Sequence, residues 1–180
     1  MIKAKVKKNN LKQKIAKSFG FSLLELLIYI SILSILVVII SNTFISLSKS
    51  QGQSQARSEV DRDVGFATEL IKQDLKNASV VSIPATVGTS PTLTITRAGV
   101  VIVYDVLNGV LRRKEGLLTT VNVTSPNTIV STPVFTRIEN TNTVFGKTQV
   151  TIKVNMTFSY NSTSSNWIYS TDLQTAVSLY

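Results

Sequence analysis

Residues 21–40 read FSLLELLIYISILSILVVII, a nearly unbroken apolar run with one charged residue, Glu25. As a helix, twenty residues rise about 30 Å, enough to cross the hydrocarbon core of a bilayer. Ser22, Ser31 and Ser34 are tolerable there, because a serine hydroxyl can bond back to a helix carbonyl. An ordinary secretory signal has a shorter apolar core followed by a small-residue cleavage site. Here the run is long, and Ser41, Asn42, Thr43 and Phe44 offer only a weak site of that kind. A plain membrane anchor accounts for the length but not for Glu25. A carboxylate deep in lipid costs roughly 2.5–3.5 kcal/mol on insertion scales, so such a residue has a partner or a function. A seat in the headgroup region is the alternative.

The formal charge of +9 suggests a nucleic-acid binder until its distribution is examined. Seven of the 19 basic residues are Lys3, Lys5, Lys7, Lys8, Lys12, Lys14 and Lys17, and no acid lies among the first twenty positions. The rest of the chain holds 12 basic and 10 acidic residues, a formal +2. The basic character therefore belongs to the N-terminus, where lysines before a span stay on the cytoplasmic side and the chain after it lies outside. The 180 residues contain no Cys and no His, which excludes disulfides and thiolate metal sites and removes the usual general base. No catalytic residues, metal or cofactor are expected, and the chain is not expected to be an enzyme.

Residues 17–27 (KSFGFSLLELL) carry a more specific pattern: a basic leader, Gly20, Phe21, an apolar pair, Glu25 and then the long apolar run. This stretch resembles the processing site of type IV prepilins and pseudopilins. The resemblance implies that a prepilin peptidase cuts after Gly20 and methylates the new N-terminus at Phe21. It also implies that Glu25 lies close to the N-terminal amine of a neighbouring subunit during assembly. The physics is compatible with that role, since an unpaired amine and an unpaired carboxylate are each costly in lipid and pairing them across subunits removes both penalties. The net worth of the pair depends on how far desolvation cancels the attraction. The implied partners are the peptidase, other pilin or pseudopilin subunits, an assembly-platform membrane protein and the lipid bilayer. The implied location is the bacterial inner or plasma membrane, crossed once with the C-terminal domain outside the cytoplasm, and then a filament.

Helical signals continue past the apolar run. Residues 41–55 are polar and lack Pro. Val60, Val64, Ala67, Ile71, Leu75 and Ala78 then recur at steps of three and four, one face of a helix, and Phe66 and Leu70 are expected to widen that face. Gly52 and Gly65 each weaken a helix by about 1 kcal/mol relative to Ala and mark points of expected softness. One helix over residues 21–78 would be about 87 Å long, half anchor and half laid on a sheet. A break near residues 50–55, followed by a separate amphipathic helix, is the alternative. The helix is expected to end near Ala78 and Ser79.

From Val80 the pattern turns to strands, with alternation over residues 92–96, 101–104 and 150–160 and further strands expected at 119–123, 130–138 and 167–178. Asn108-Gly109 is a two-residue hairpin signal. Loops are expected at residues 84–91, 125–127, 140–143 and 161–166. The expected fold is α+β: a long N-terminal helix packed by its second half on a mostly antiparallel β domain. The expected divisions are a cleaved basic leader at 1–20, a transmembrane or filament-core helix at 21–42, an amphipathic continuation at 43–79 and a β-rich exported domain at 80–180.

The sheet half shows no catalytic pattern. Asp105 and Glu115, flanking the hairpin, are expected on a solvated rim. Arg112, Arg113 and Lys114 are expected in solvent too, with Arg113 on the opposite face from its neighbours, and nucleic-acid contact is not expected of them. Trp167, Tyr169 and Tyr180 are expected to pack. Residues 71–78 (IKQDLKNA), the NGVLRR hairpin and residues 173–180 (LQTAVSLY) are similar to the J-type minor pseudopilin of type II secretion systems. That likeness implies a structural subunit in a complex at the tip of a secretion or pilus filament. Two other readings remain open: a minor pilin for DNA uptake or adhesion, and an unprocessed single-pass protein with an exported binding domain.

Overall fold

The computed structural model describes residues 22–144, 146–164 and 166–179. The chain divides into two units, Met1–Phe44 and Ile45–Tyr180. One helix, α1 (Leu23–Lys76), contributes to both and continues through residues 50–55 without a break. In the first unit its residues from Leu23 on are all exposed. The hydroxyls of Ser31, Ser34 and Thr43 donate to the carbonyls of Leu27, Ile30 and Ile39 at 2.8, 2.7 and 2.9 Å. These three hydroxyls are thus closed onto their own helix, as an apolar surrounding requires.

In the second unit α1 buries Ala56, Val60, Asp63, Ala67, Ile71, Asp74 and Leu75. The stripe keeps the expected spacing of three and four, but two of its members are acids. Phe66 was expected to widen the stripe and instead stands 56% exposed. At 100° per residue it lies roughly 110° from the middle of the stripe, too far round the helix to reach the sheets. The helix stops at Lys76, two residues before the expected end, and Ala78 still joins the core.

Among the described residues ten strands follow: β1 (Val80–Ile83), β2 (Gly88–Ser90), β3 (Leu93–Arg97), β4 (Val100–Leu107), β5 (Val110–Glu115), β6 (Val121–Asn122), β7 (Thr128–Val130), β8 (Val134–Asn142), β9 (Lys147–Tyr160) and β10 (Ser170–Ser178). They form two sheets, β1-β3-β4-β5-β6 and β10-β9-β8-β2, with β7 also paired to β9. Every pairing is antiparallel. The fold is α+β, a long N-terminal helix with antiparallel sheets, consistent with a pilin-like fold.

Alternation along the strands sends one face of each sheet inward. Leu93 and Ile95, Ile102 and Tyr104, Leu111, Phe135, then Ile152, Val154, Met156 and Phe158, and Leu173 and Val177 join α1 in a single core. The Asn108-Gly109 hairpin forms with both residues at positive φ, 52° and 77°, the two-residue turn that matches the twist of paired strands. A second turn of the same kind, Ala98-Gly99 at 49° and 81°, joins β3 to β4. Its Ala was no signal for a turn. The expected loop at 84–91 contains β2, held by β8. The expected strand at 130–138 is split, because Pro133 has no N–H to donate and β7 ends before it. β8 runs to Asn142, through most of the expected loop at 140–143, and the last strand begins at Ser170 and not at Trp167.

Candidate functional site

Two places in the molecule gather functional chemistry: the start of α1 and the seam between α1 and the sheets. Gly20 and Phe21 lie outside the described residues. Ser22 immediately precedes the helix, and its carbonyl accepts the Leu26 N–H at 3.1 Å. Glu25 follows in the first turn, where the unpaired N–H groups of a helix favour a negative charge by about 0.3–1 kcal/mol. Its carboxylate is exposed and accepts a long bond from the Tyr29 hydroxyl, 3.4 Å, one turn on. No other charged side chain occurs between residues 22 and 44. Around and beyond it stand Leu23, Leu24, Leu26, Leu27, Ile28 and Ile30, each about half or more exposed. A helix apolar on all sides must be covered by lipid or by other apolar helices. Among the described residues it is the one helix long and apolar enough to cross a membrane.

At the seam, four carboxylates of α1 take hold of the β domain. Asp74 is 1% exposed and sits opposite the inward face of β3, β4 and β5. It accepts from Arg97 Nη1 at 2.6 Å, from Arg113 Nε at 2.7 Å and from the Tyr104 hydroxyl at 2.5 Å. Glu115 closes the ring by accepting from Arg97 and Arg113 at 2.9 and 2.7 Å. Register explains the gathering, since Arg113 lies opposite Tyr104 on β4 and Glu115 opposite Ile102, all on the core face.

Burial pushes the Tyr104 phenol up, and the hydrogen bond to Asp74 and its negative charge push it further. Burial by itself lowers Arg113, but its hydrogen bonds to Asp74 and Glu115 outweigh that and raise it. The hydrogen bond from Arg113, more than the charge of either arginine, draws Glu115 below the usual carboxylate value.

The expectation that Glu115 and Arg113 stand in solvent is therefore corrected. Alternation does place Arg113 opposite Arg112 and Lys114, but its face is the buried one. Arg112 is engaged as well, in a two-pronged pair with Asp105 at 2.9 and 2.5 Å across the hairpin.

The other three acids clasp loops. Asp63 accepts the Ser125 N–H at 2.9 Å, and Glu59 accepts from the Ser125 hydroxyl and Asn127 Nδ2 at 3.1 and 2.9 Å. Asp61 accepts from Tyr169 at 2.9 Å, with Arg57 lying over the same ring, 5.7 Å from its centre. Among the described residues no group of three or more acids collects in a way that could hold a metal ion. Each acid at the seam already faces a cation, a hydroxyl or an amide, so the arrangement holds the helix on the sheets.

Residues 15–41 match the family described as the prokaryotic N-terminal methylation motif. The matched stretch contains Gly20, Phe21 and Glu25 and most of the exposed apolar helix. Comparison of the chain with curated proteins and with solved structures gives no match.

Proposed function

We propose, for a chain whose methylation motif makes it a type IV pilin-like protein and a substrate of prepilin peptidase, that it is a minor pilin or pseudopilin. In this reading it is a structural subunit of a type II secretion or type IV pilus-like filament. The carrying observation is the coincidence of that motif with a helix whose apolar surface is bare in the single chain. Gly20 and Phe21 define the cut, Phe21 receives the methyl group, and residues 1–20 are lost. Glu25 pairs with the Phe21 amine of a neighbour, setting axial register while apolar contacts supply the packing. The anchor first sits in the membrane, with the β domain outside the cytoplasm, and then packs into the filament core, guided by an assembly-platform membrane protein. Glu25 at the head of the apolar run favours this over a passive anchor, which has no use for a carboxylate there.

The seam supports a structural and non-catalytic role for the exported part, because its acids are spent on holding α1. The engagement of Arg112 and Arg113 by Asp105 and Asp74 weighs against a DNA-binding hairpin, since phosphate would have to displace a carboxylate from each. The J-type assignment rests on the layout, on residues 71–78 and the NGVLRR hairpin, and on the closing residues 173–180. The seam gives the first two fragments a shared purpose, for Asp74 comes from the first and Arg113 from the second.

The test is the intact mass and N-terminal sequence of the protein recovered from its native membrane. A chain beginning at N-methylated Phe21 is the expected result. A chain that keeps Met1 or Lys17 would overturn the proposal in favour of an unprocessed single-pass protein.

A further inference from the structure

The edges of the two sheets differ sharply in length. β1, β2 and β6 are edges of four, three and two residues, short enough to offer little to another chain. β10 is an edge of nine residues, paired along its whole length to β9 on one side without a register shift. It carries none of the usual protections, having no Lys, Arg, Pro or bulge, and its one charge is Asp172.

The ladder shows which backbone groups are left over. Tyr160 N donates to the Tyr169 carbonyl at 2.9 Å, and Leu179 N donates to the Val150 carbonyl at 2.8 Å. Both are bonded pairs of the same ladder, and bonded pairs alternate with unbonded ones in an antiparallel sheet. The odd-numbered residues of β10 therefore bond to β9. The N–H and C=O groups of Ser170, Asp172, Gln174, Ala176 and Ser178 point away from the sheet. Among the described residues none of these groups has a backbone partner beyond β9.

Beside this edge lies a groove of about 640 Å³, lined by Ala176, Val177 and Ser178 on the strand and by Lys72 and Lys76 on α1. Lys72 meets Glu69 only at 3.9 Å, and both lysines stand one helical turn apart. Side chains a turn apart are about 6 Å from one another, close to the roughly 6.6 Å between alternate side chains on a strand. A strand added to β10 would direct alternate side chains into the groove, next to Thr175 and Val177, and two carboxylates there would meet the two ammonium groups.

We infer that the free edge of β10 is a docking site for an extended acidic segment of another polypeptide, which adds to the sheet as a strand. Backbone hydrogen bonds from the five outward-facing residues give the affinity. Lys72 and Lys76 select acidic side chains at alternate positions. The inference stands apart from the filament reading, because nothing in it depends on how the N-terminus is processed.

The experiment uses the full chain in lipid nanodiscs. The probe is a fluorescent nine-residue peptide alternating valine and threonine, with glutamate at two alternate positions, and a second peptide has lysine at those positions. The glutamate peptide is expected to bind at least tenfold more tightly. Lys72→Glu with Lys76→Glu should reverse the preference. Gln174→Pro should abolish binding with thermal stability retained, because only an outward N–H is lost. A glutamate peptide N-methylated on alternate amides, which leaves the protein untouched, should fail to bind in one of its two phases of alternation. Equal binding of the two peptides, or undiminished binding to Gln174→Pro and to both N-methylated forms, would overturn the inference. Self-association of the chain without peptide, lost in Gln174→Pro, would assign the edge to a second copy and overturn it as well.

Discussion

The indole of Trp167 lies directly on the backbone of Gly52: a Cβ built at residue 52 would stand 2.1 Å from Trp167 Nε1 and 2.4 Å from Cε2. The glycine that reads in sequence as a soft point of the helix is thus the residue that lets the ring approach. Gly65, by contrast, has nothing within 4 Å of an added Cβ. The two glycines should part company on substitution. Gly65→Ala should stabilise by about 1 kcal/mol, the propensity gain alone. Gly52→Ala makes the same gain but forces the ring off the helix, an overpacking cost of about 1–3 kcal/mol, so no net stabilisation is expected. Trp167 is the chain's only tryptophan, so its fluorescence reports the displacement directly. An unchanged emission spectrum in Gly52→Ala would contradict the contact.

Asp74 should be the least replaceable of the four α1 acids at the seam. Asp74→Ala leaves Arg113, 16% exposed, with Glu115 as its one remaining carboxylate and the buried Tyr104 hydroxyl without its acceptor, and a broken buried pair costs about 3–5 kcal/mol. Tyr104→Phe removes one hydroxyl while both arginines stay on Asp74, so about 1 kcal/mol is expected. Asp61→Ala, at an exposed pair, should cost still less. Chemical denaturation of the three variants gives the ranking, and a loss in Asp61→Ala equal to that in Asp74→Ala would refute it.

The seam should also set the pH limits of the fold. Glu115 is held below its usual pKa by Arg113, so its contribution is present above the unfolded value of about 4.3 and lost as the pH falls through the lower folded value. Glu115→Gln should flatten the acid limb of a melting profile. Tyr104 is shifted the other way. Its contribution is complete below the unfolded value of about 10 and is lost as the pH rises beyond it, because only the unfolded chain readily releases the proton. Tyr104→Phe should therefore hold its melting temperature above pH 10 better than the parent does, while being less stable at neutral pH.

The sequence reading reached the helix, the α+β class and the Asn108-Gly109 turn, because each rests on local chemistry: spacing, an absence of Pro, two residues that tolerate positive φ. The seam escaped it. Asp63 and Asp74 sit on the same stripe as Ala67 and Ile71, but an acid on a stripe is buried only if a partner faces it. The partners of Asp74, Arg97 and Arg113, come from strands 23 and 39 positions later in the chain, and the Ser125 N–H that meets Asp63 lies 62 positions on. Alternation alone put Arg113 on the face opposite Arg112, and only the sheet's register made that the inner face. Phe66 failed for a related reason, since periodicity ranks faces of a helix but does not say how wide the covering sheet is.

Glu25 is the residue on which the assembly proposal turns. The Glu25→Val side chain suits the apolar run around it, so the helix and its insertion should be unaffected or improved, and insertion scales favour the change by about 3 kcal/mol. The proposed peptidase cut lies five residues earlier, between Gly20 and Phe21, so cleavage should continue. What is lost is the carboxylate that would meet a neighbour's Phe21 amine. That amine would then enter the apolar filament core unpaired, at a cost of several kcal/mol. The variant should accumulate in the membrane as a processed chain and be depleted from sheared filaments or cross-linked subunit complexes, with the effect read by quantitative immunoblot of the two fractions. Glu25→Asp keeps the charge on a shorter arm and should restore part of the incorporation, as a merely structural defect would not. Normal incorporation of Glu25→Val would remove the pairing from the mechanism and leave apolar packing of the helix as the sole assembly force.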